Sequence, residues 1–187
     1  WYDFQDEGDY YDGVVDAEVD PNRPLFYVYT SGSTGPSKQV IHSAQTMLSV
    51  VCQMSGYATS DDFRPTWLMA ILPPALVAVT VSMVLMPMTS NRLLILDPFV
   101  DPEDIDLEIM RYKPNGMAFI PMFLEILMHS KRIPADYDMS HLLAAGAGCE
   151  SFNNGQVRRI QKFLNDHGCK AVFSMGFGLS EAGSSLM

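Results

Sequence analysis

Leu142-Leu-Ala-Ala-Gly-Ala-Gly148 and Ala171-Val-Phe-Ser174 bracket the stretch that decides the fold. The first is a short apolar strand, Leu142–Ala145, that runs into the small-residue turn Gly146-Ala147-Gly148. Asn153 or Asn154 then opens a helix. Its apolar stripe is Val157, Ile160 and Leu164, at helical spacing, and Gly168 stops it. Ala171–Ser174 is a second short strand, feeding a loop over 175–185. A strand, a helix of about a dozen residues and another strand make a βαβ unit, which calls for parallel pairing.

The same alternation continues outward. Trp67–Leu72, Leu93–Leu96 and Met117–Ile120 read as buried strands. Ala75–Leu85 reads as a buried helix. A helix capped by Asp101, with Pro102 at its first position, runs to about Tyr112, and another runs through His129. Nearer the start, Leu25–Thr30 and Lys38–His42 are short extended pieces, and Ser43 caps a helix to about Gln53. The expected fold is α/β, a mostly parallel sheet flanked by helices. Ligands of such sheets sit at the carboxyl ends of the strands. Three Gly/Ser-rich segments (30–38, 145–149 and 174–183) each follow a predicted strand, so all three are expected to converge on one edge.

Charge is unevenly spread. Of 22 acidic and 12 basic residues, residues 1–24 hold eight acids and one base, leaving 14 and 11 for the other 163 residues. Residues 1–24 read as an acidic linker or arm and 25–187 as the globular part. No basic patch appears, which argues against nucleic acid as a partner. Cys52, Cys149 and Cys169 are odd in number and lack CxxC spacing, which points to a reducing, cytoplasmic compartment rather than a disulfide framework. The four histidines make no metal-ligand spacing with them. Trp67 to Met88 is nearly all apolar and long enough to span a bilayer. Pro73, Pro74 and Pro87 break it into lengths typical of core elements, so a buried strand and helix are expected there and no membrane span.

Thr30-Ser31-Gly32-Ser33-Thr34-Gly35-Pro36-Ser37-Lys38 carries the first chemical signal. Small hydroxyl residues and glycines after a strand let backbone N–H groups approach phosphate oxygens, and Lys38 adds a point charge. It is not a Walker A loop, because Ser37 precedes Lys38 and Gln39 follows it. The run Tyr27 to Lys38 resembles the signature loop of the adenylate-forming superfamily. That superfamily contains acyl-coenzyme A synthetases, luciferases and the adenylation domains of peptide synthetases. The departure is Gln39, where the family usually has Gly.

Ser174-Met-Gly-Phe-Gly-Leu-Ser-Glu-Ala-Gly183 resembles the family's aromatic-Gly-x-Thr-Glu motif. The resemblance implies Phe177 and Gly178 beside adenine, Ser180 on the α-phosphate and Glu181 on Mg²⁺. A nucleophile elbow does not fit, because one residue too many separates Ser180 from Gly183. Ala145-Gly146-Ala147-Gly148-Cys149 resembles the family turn that borders the adenine and acyl sites. Cys149 stands where the family often has Pro and reads as a small apolar filler. Leu76 stands where many relatives have His. No Asp lies between Asp62 and Asp97, where amino-acid-activating relatives hold the substrate ammonium, so a neutral carboxylic acid is the expected substrate.

The resemblance implies ATP and Mg²⁺ as cofactors, and coenzyme A as acceptor in a full-length enzyme. It covers roughly a third of such a multi-domain chain. Residues 25–187 are thus expected to be a fragment of the AMP-binding N-terminal domain, lacking the C-terminal domain, with the absent N- and C-terminal regions as its partners and inactive alone. Lys38 is not the mobile domain's catalytic Lys. The alternatives are an amino-acid adenylation domain of a peptide synthetase, or a nucleotide-binding module without activity.

Overall fold

The structure, a computed structural model, describes residues 13, 20–32, 35–55, 66–70, 76–89, 93–97 and 100–186. Five parallel strands form the central sheet: β3 (Thr66–Ala70), β4 (Leu93–Asp97), β5 (Gly116–Phe119), β6 (Ala144–Ala147) and β7 (Phe173–Met175). Their spatial order is β4-β3-β5-β6-β7. The expected α/β architecture, a parallel sheet flanked by helices, is borne out.

The order reverses between β3 and β5. Right-handed crossovers then require the β3-to-β4 helix on one face and the later helices on the other. The cores divide in that way. One joins α3 (Ile105–Tyr112), α4 (Pro121–His129) and α5 (Asn154–Asp166) to β5, β6 and β7, through residues such as Ile109, Phe119, Leu127, Ile160 and Phe173. The other joins α1 (Ala44–Ser55) to α2 (77–89), through Met47, Val50, Val51, Val77, Val81 and Met86.

Local sequence explains the element ends. Asn153 caps α5 by a capping box: its Oδ1 accepts from Gln156 N at 3.0 Å, and Gln156 Oε1 accepts from Asn153 N at 2.9 Å. Ser43 Oγ accepts from Thr46 N at 3.2 Å at the start of α1. Asp101 does cap, accepting from Glu103 N at 2.9 Å, but what it opens is a 3₁₀ turn, Pro102–Asp104, that leads into α3. Within α2, Thr80–Leu85 is π-helical. Pro87 has no N–H to give and its ring crowds the carbonyl four residues back, which the wider turn ahead of it relieves. Among the described residues, no helix is long and apolar enough to cross a membrane. Of the expected strand Trp67–Leu72 and helix Ala75–Leu85, residues 71, 72 and 75 lie outside the described residues.

One expectation is corrected. Pro24–Tyr29 (β1) and Gln39–Ser43 (β2) stand outside the parallel sheet as a separate antiparallel pair, with Phe26 opposite His42 and Tyr29 opposite Gln39. A nine-residue return is too short for the crossover that parallel pairing needs. The pair turns Phe26 and Val28 onto the α1–α2 core and leaves Leu25, Tyr27 and Tyr29 outward.

An ion pair with one buried partner, Asp106, and one half-exposed partner, Arg132, ties the 3₁₀ turn and α3 to the chain leaving α4. Asp106 is fully buried. It accepts from Arg132 Nε at 2.8 Å and from Arg132 Nη2 at 2.6 Å, and also from the Ser130 hydroxyl. Burial pushes its carboxyl up, but the bonds from Arg132, Ser130 and the Leu107 N–H, with the charge of Arg132, outweigh it and hold the group below its ordinary range. A depressed folded value contributes stability above the unfolded value, and that stability is lost as pH falls through the folded one. Asp106→Ala is expected to cost about 2 kcal/mol at pH 7, since the Arg132 left behind is half exposed. Denaturant titrations should show this difference shrinking as the pH is taken below about 4, where the unfolded carboxyl protonates.

Candidate functional site

The carboxyl ends of β5, β6 and β7 are stitched together by backbone. Gly148 N–H donates to Phe119 O at 3.2 Å, and Gly176 N–H donates to Ala147 O at 2.8 Å. The register places Gly146 opposite Ser174 and Ala147 opposite Met175. Small residues are required here. A Cβ at Gly146 would lie 3.0 Å from Ser174 Oγ, and one at Gly148 would lie 3.2 Å from Gly176 O. Cys149 is exposed and takes φ +72°, so the expected apolar filler is instead an accessible turn residue.

From β7 the chain leaves the edge. The expected loop over 175–185 is a hairpin, β8 (Phe177–Leu179) and β9 (Ser184–Leu186), joined by a 3₁₀ turn, Ser180–Ala182. The Phe177 ring is 63% exposed and so accessible to a planar partner, and Gly178 and Glu181 are exposed as well. Gly183 closes the turn at φ +75°, its N–H donating to Ser180 O at 3.3 Å.

This turn lies against the base of the 30–38 loop. His42 Nε2 is 2.7 Å from Ser180 O, and Ser180 Oγ donates to Tyr29 O at 3.4 Å. The loop is closed on itself at its base. Thr30 N donates to Lys38 O at 3.0 Å, Lys38 N to Thr30 Oγ1 at 3.0 Å and Ser37 Oγ to Thr30 O at 2.5 Å. Gly32 turns at φ +71°, where a Cβ would meet Gly35 O at 2.9 Å. Ser31, Gly35 and Lys38 are exposed on this loop, while Ser33 and Thr34 lie outside the described residues. Gln39, the departure after the loop, donates from Nε2 to Tyr29 Oη at 3.2 Å.

Residues 145–147 pair with 173–175 in the ladder, and Ser180 bonds Tyr29 and His42, which flank the 30–38 loop rather than belong to it. The segments are spread over three separate sheets rather than one edge. The sequence reading passed over His42, although the alternation Val40–His42 on the inward side of β2 was visible. An open surface pocket of about 390 Å³ lies elsewhere. It is lined by Lys113, Tyr137 and His141 among others, at the amino edge of β5 and β6, remote from these loops. The described residues hold no group of three or more side chains able to cage a metal ion. Glu181 offers one exposed carboxylate, a donor set that suits a hard cation carried mostly by phosphate oxygens and water.

A family model described as AMP-binding enzyme matches residues 2–187. A search of curated proteins finds no match. Among solved structures, the fold is similar to ATP-bound MatB from Rhodopseudomonas palustris, at TM-score 0.73 and 19% identity, covering 90% of this chain and 32% of that one. It is similar to the adenylation domain of a keto acid-selecting NRPS module bound to keto acyl adenylate, at TM-score 0.77 and 21% identity, covering 91% and 32%. It is also similar to O-succinylbenzoate coenzyme A synthetase (MenE) from Bacillus subtilis in complex with ATP and magnesium ion, at TM-score 0.71 and 15% identity, covering 92% and 34%. The chain thus spans about a third of the length of these structures.

A Cβ at Gly183 would lie 3.3 Å from both Met47 Cε and Val50 Cγ2, in a left-handed backbone conformation. Gly183→Ala is expected to cost about 1–2 kcal/mol of stability from the conformation alone. Hydrogen exchange should show that loss as faster opening of 180–186 than of α5.

Proposed function

We propose that this chain, which belongs to the AMP-binding enzyme family, forms the nucleotide-handling core of an enzyme that activates a carboxylic acid as an acyl-adenylate. The observation that supports this most is the packing of the Ser180–Glu181 turn on the base of the 30–38 loop, with His42 Nε2 2.7 Å from Ser180 O and Ser180 Oγ 3.4 Å from Tyr29 O. A phosphate-binding loop and an acidic turn within reach of each other suit a triphosphate held at both ends.

In this reading the backbone and hydroxyls of Thr30, Ser31, Gly32, Ser33, Thr34 and Gly35, with Lys38, hold the β- and γ-phosphates. The Phe177 face stacks on adenine, with Gly178 beside it. Gly146, Ala147 and Gly148 border adenine and the acyl group, their small size matching the close approach of Ser174 and Gly176 at the strand ends. The Ser180 hydroxyl, turning from its 3.4 Å contact with Tyr29 O, donates its one hydrogen to the α-phosphate when nucleotide binds. A carboxylate oxygen of the acid attacks the α-phosphorus, the bond to the bridging oxygen breaks, and pyrophosphate leaves with that electron pair. Mg²⁺ bound at Glu181 would offset the charge that builds on the phosphate oxygens.

The acid is a neutral aliphatic or aromatic one, since no Asp between Asp62 and Asp97 is available to an ammonium. Thioester formation with coenzyme A would follow in the full-length protein, in a reducing cytoplasm that suits the free cysteines. An amino-acid adenylation domain and a nucleotide-binding module without activity are the readings the test below separates.

ATP–pyrophosphate exchange on the full-length protein, with a panel of neutral carboxylic acids and amino acids, provides the test. Exchange is expected with a neutral acid, and Glu181→Ala is expected to lower it at least about 100-fold while the thermal transition is retained. Exchange with amino acids alone would favour the peptide-synthetase reading. No exchange with any acid would favour the inactive module, and undiminished exchange in the variant would remove Glu181 from its role.

A further inference from the structure

We propose that His42 is a positioning residue that holds Glu181 in place, by donating a hydrogen bond from Nε2 to the carbonyl oxygen of Ser180. This rests on the adenylation reading of Glu181, and it adds a residue that neither the loop motif nor the acidic motif contains.

His42 is 2% exposed. Only two other polar or charged residues are buried among the described ones, Asp106 at 0% and Glu108 at 8% exposure, and both lie in α3. A buried polar ring is retained where it is hydrogen-bonded. A carbonyl oxygen only accepts, so Nε2 must carry the hydrogen in the 2.7 Å contact. The bond joins residues 138 apart in sequence, from the strand that follows the phosphate loop to the turn that carries the carboxylate.

The acceptor is what gives the bond its reach. The Ser180 carbonyl belongs to the peptide plane that ends at the Glu181 Cα, because the six atoms of a peptide unit are coplanar. Fixing that oxygen fixes the plane on which the Glu181 N and Cα lie, and so the point from which the Glu181 side chain departs. The same oxygen accepts from Gly183 N–H at 3.3 Å, so the turn is held from inside and from β2. A single 3₁₀ turn has few bonds of its own, and Glu181 is exposed with no packing of its own to aim it. The Ser180 hydroxyl contact to Tyr29 O is longer, at 3.4 Å, and leaves the imidazole as the tighter tether.

The test uses the full-length protein with His42→Leu, which fills the volume without a donor, and His42→Gln, whose Nε2 can reach the same carbonyl. His42→Leu is expected to lower the exchange rate about 100-fold with little change in the KM of the acid, and to raise the Mg²⁺ concentration required; a displacement of about 1 Å at a reacting centre has that size of effect. His42→Gln is expected to recover most of the lost rate. Equal losses in the two folded variants, or wild-type exchange in His42→Leu, would overturn the assignment. If His42→Leu does not fold, His42→Gln decides alone: a folded Gln variant with a loss as large as that of Glu181→Ala would overturn it. Calorimetry of ATP binding with and without Mg²⁺ on the same proteins separates this inference from the reading beneath it. Wild-type protein that shows no exchange removes the adenylation reading. Mg²⁺-dependent tightening of ATP that is present in wild type and His42→Gln but lost in His42→Leu still reports the positioning, and its persistence in His42→Leu contradicts it.

Discussion

The carboxyl edge of the sheet depends on backbone approaching backbone. Gly148 N–H reaches Phe119 O and Gly176 N–H reaches Ala147 O only because no side chain stands between the strand ends. Those two bonds fix where the chain leaves β7, and hence where β8, the Ser180–Ala182 turn and Glu181 are delivered. A Cβ at Gly146 or Gly148 meets neighbours at 3.0 and 3.2 Å, tighter than ordinary contact, so a larger residue at this edge would push on Ser174 Oγ or on the Gly176 backbone that leads into the hairpin.

The second constraint is the junction between two cores. The phosphate-loop hairpin belongs to the α1–α2 core through Phe26 and Val28, while the strand ends belong to the core under α3, α4 and α5. The turn at 180–183 bridges them: it starts from the parallel sheet, and Gly183 seats against Met47, Val50 and His42. The strand order reverses between β3 and β5, so the β6 and β7 ends that carry the candidate site lie to one side of the place where open α/β sheets leave a crevice.

Much of this was legible in the sequence. Period-3.6 stripes such as Val157, Ile160 and Leu164 and short apolar runs announced the alternation, and Asn153 and Ser43 announced their helix starts through cap chemistry. What was not legible was which strands share a sheet. Leu25–Thr30 and Lys38–His42 look like the other strands, and only the shortness of the return between them argues for an antiparallel pair. The hairpin at 177–186 was hidden because glycines and serines dominate it, leaving no periodicity to read. His42 was missed because its partner is a carbonyl 138 residues away. Side-chain motifs show the groups that would touch a ligand, but not the groups that aim them.

The central claim is that a carboxylate oxygen becomes bonded to the α-phosphorus of ATP. The most direct measurement is isotope transfer from an acid labelled with ¹⁸O in its carboxylate, turned over by the full-length protein with ATP and an acceptor thiol. The account predicts AMP carrying one ¹⁸O atom, because thiolysis of the acyl-adenylate leaves that oxygen on phosphorus. Turnover that yields unlabelled AMP, or ADP and labelled inorganic phosphate, would contradict it.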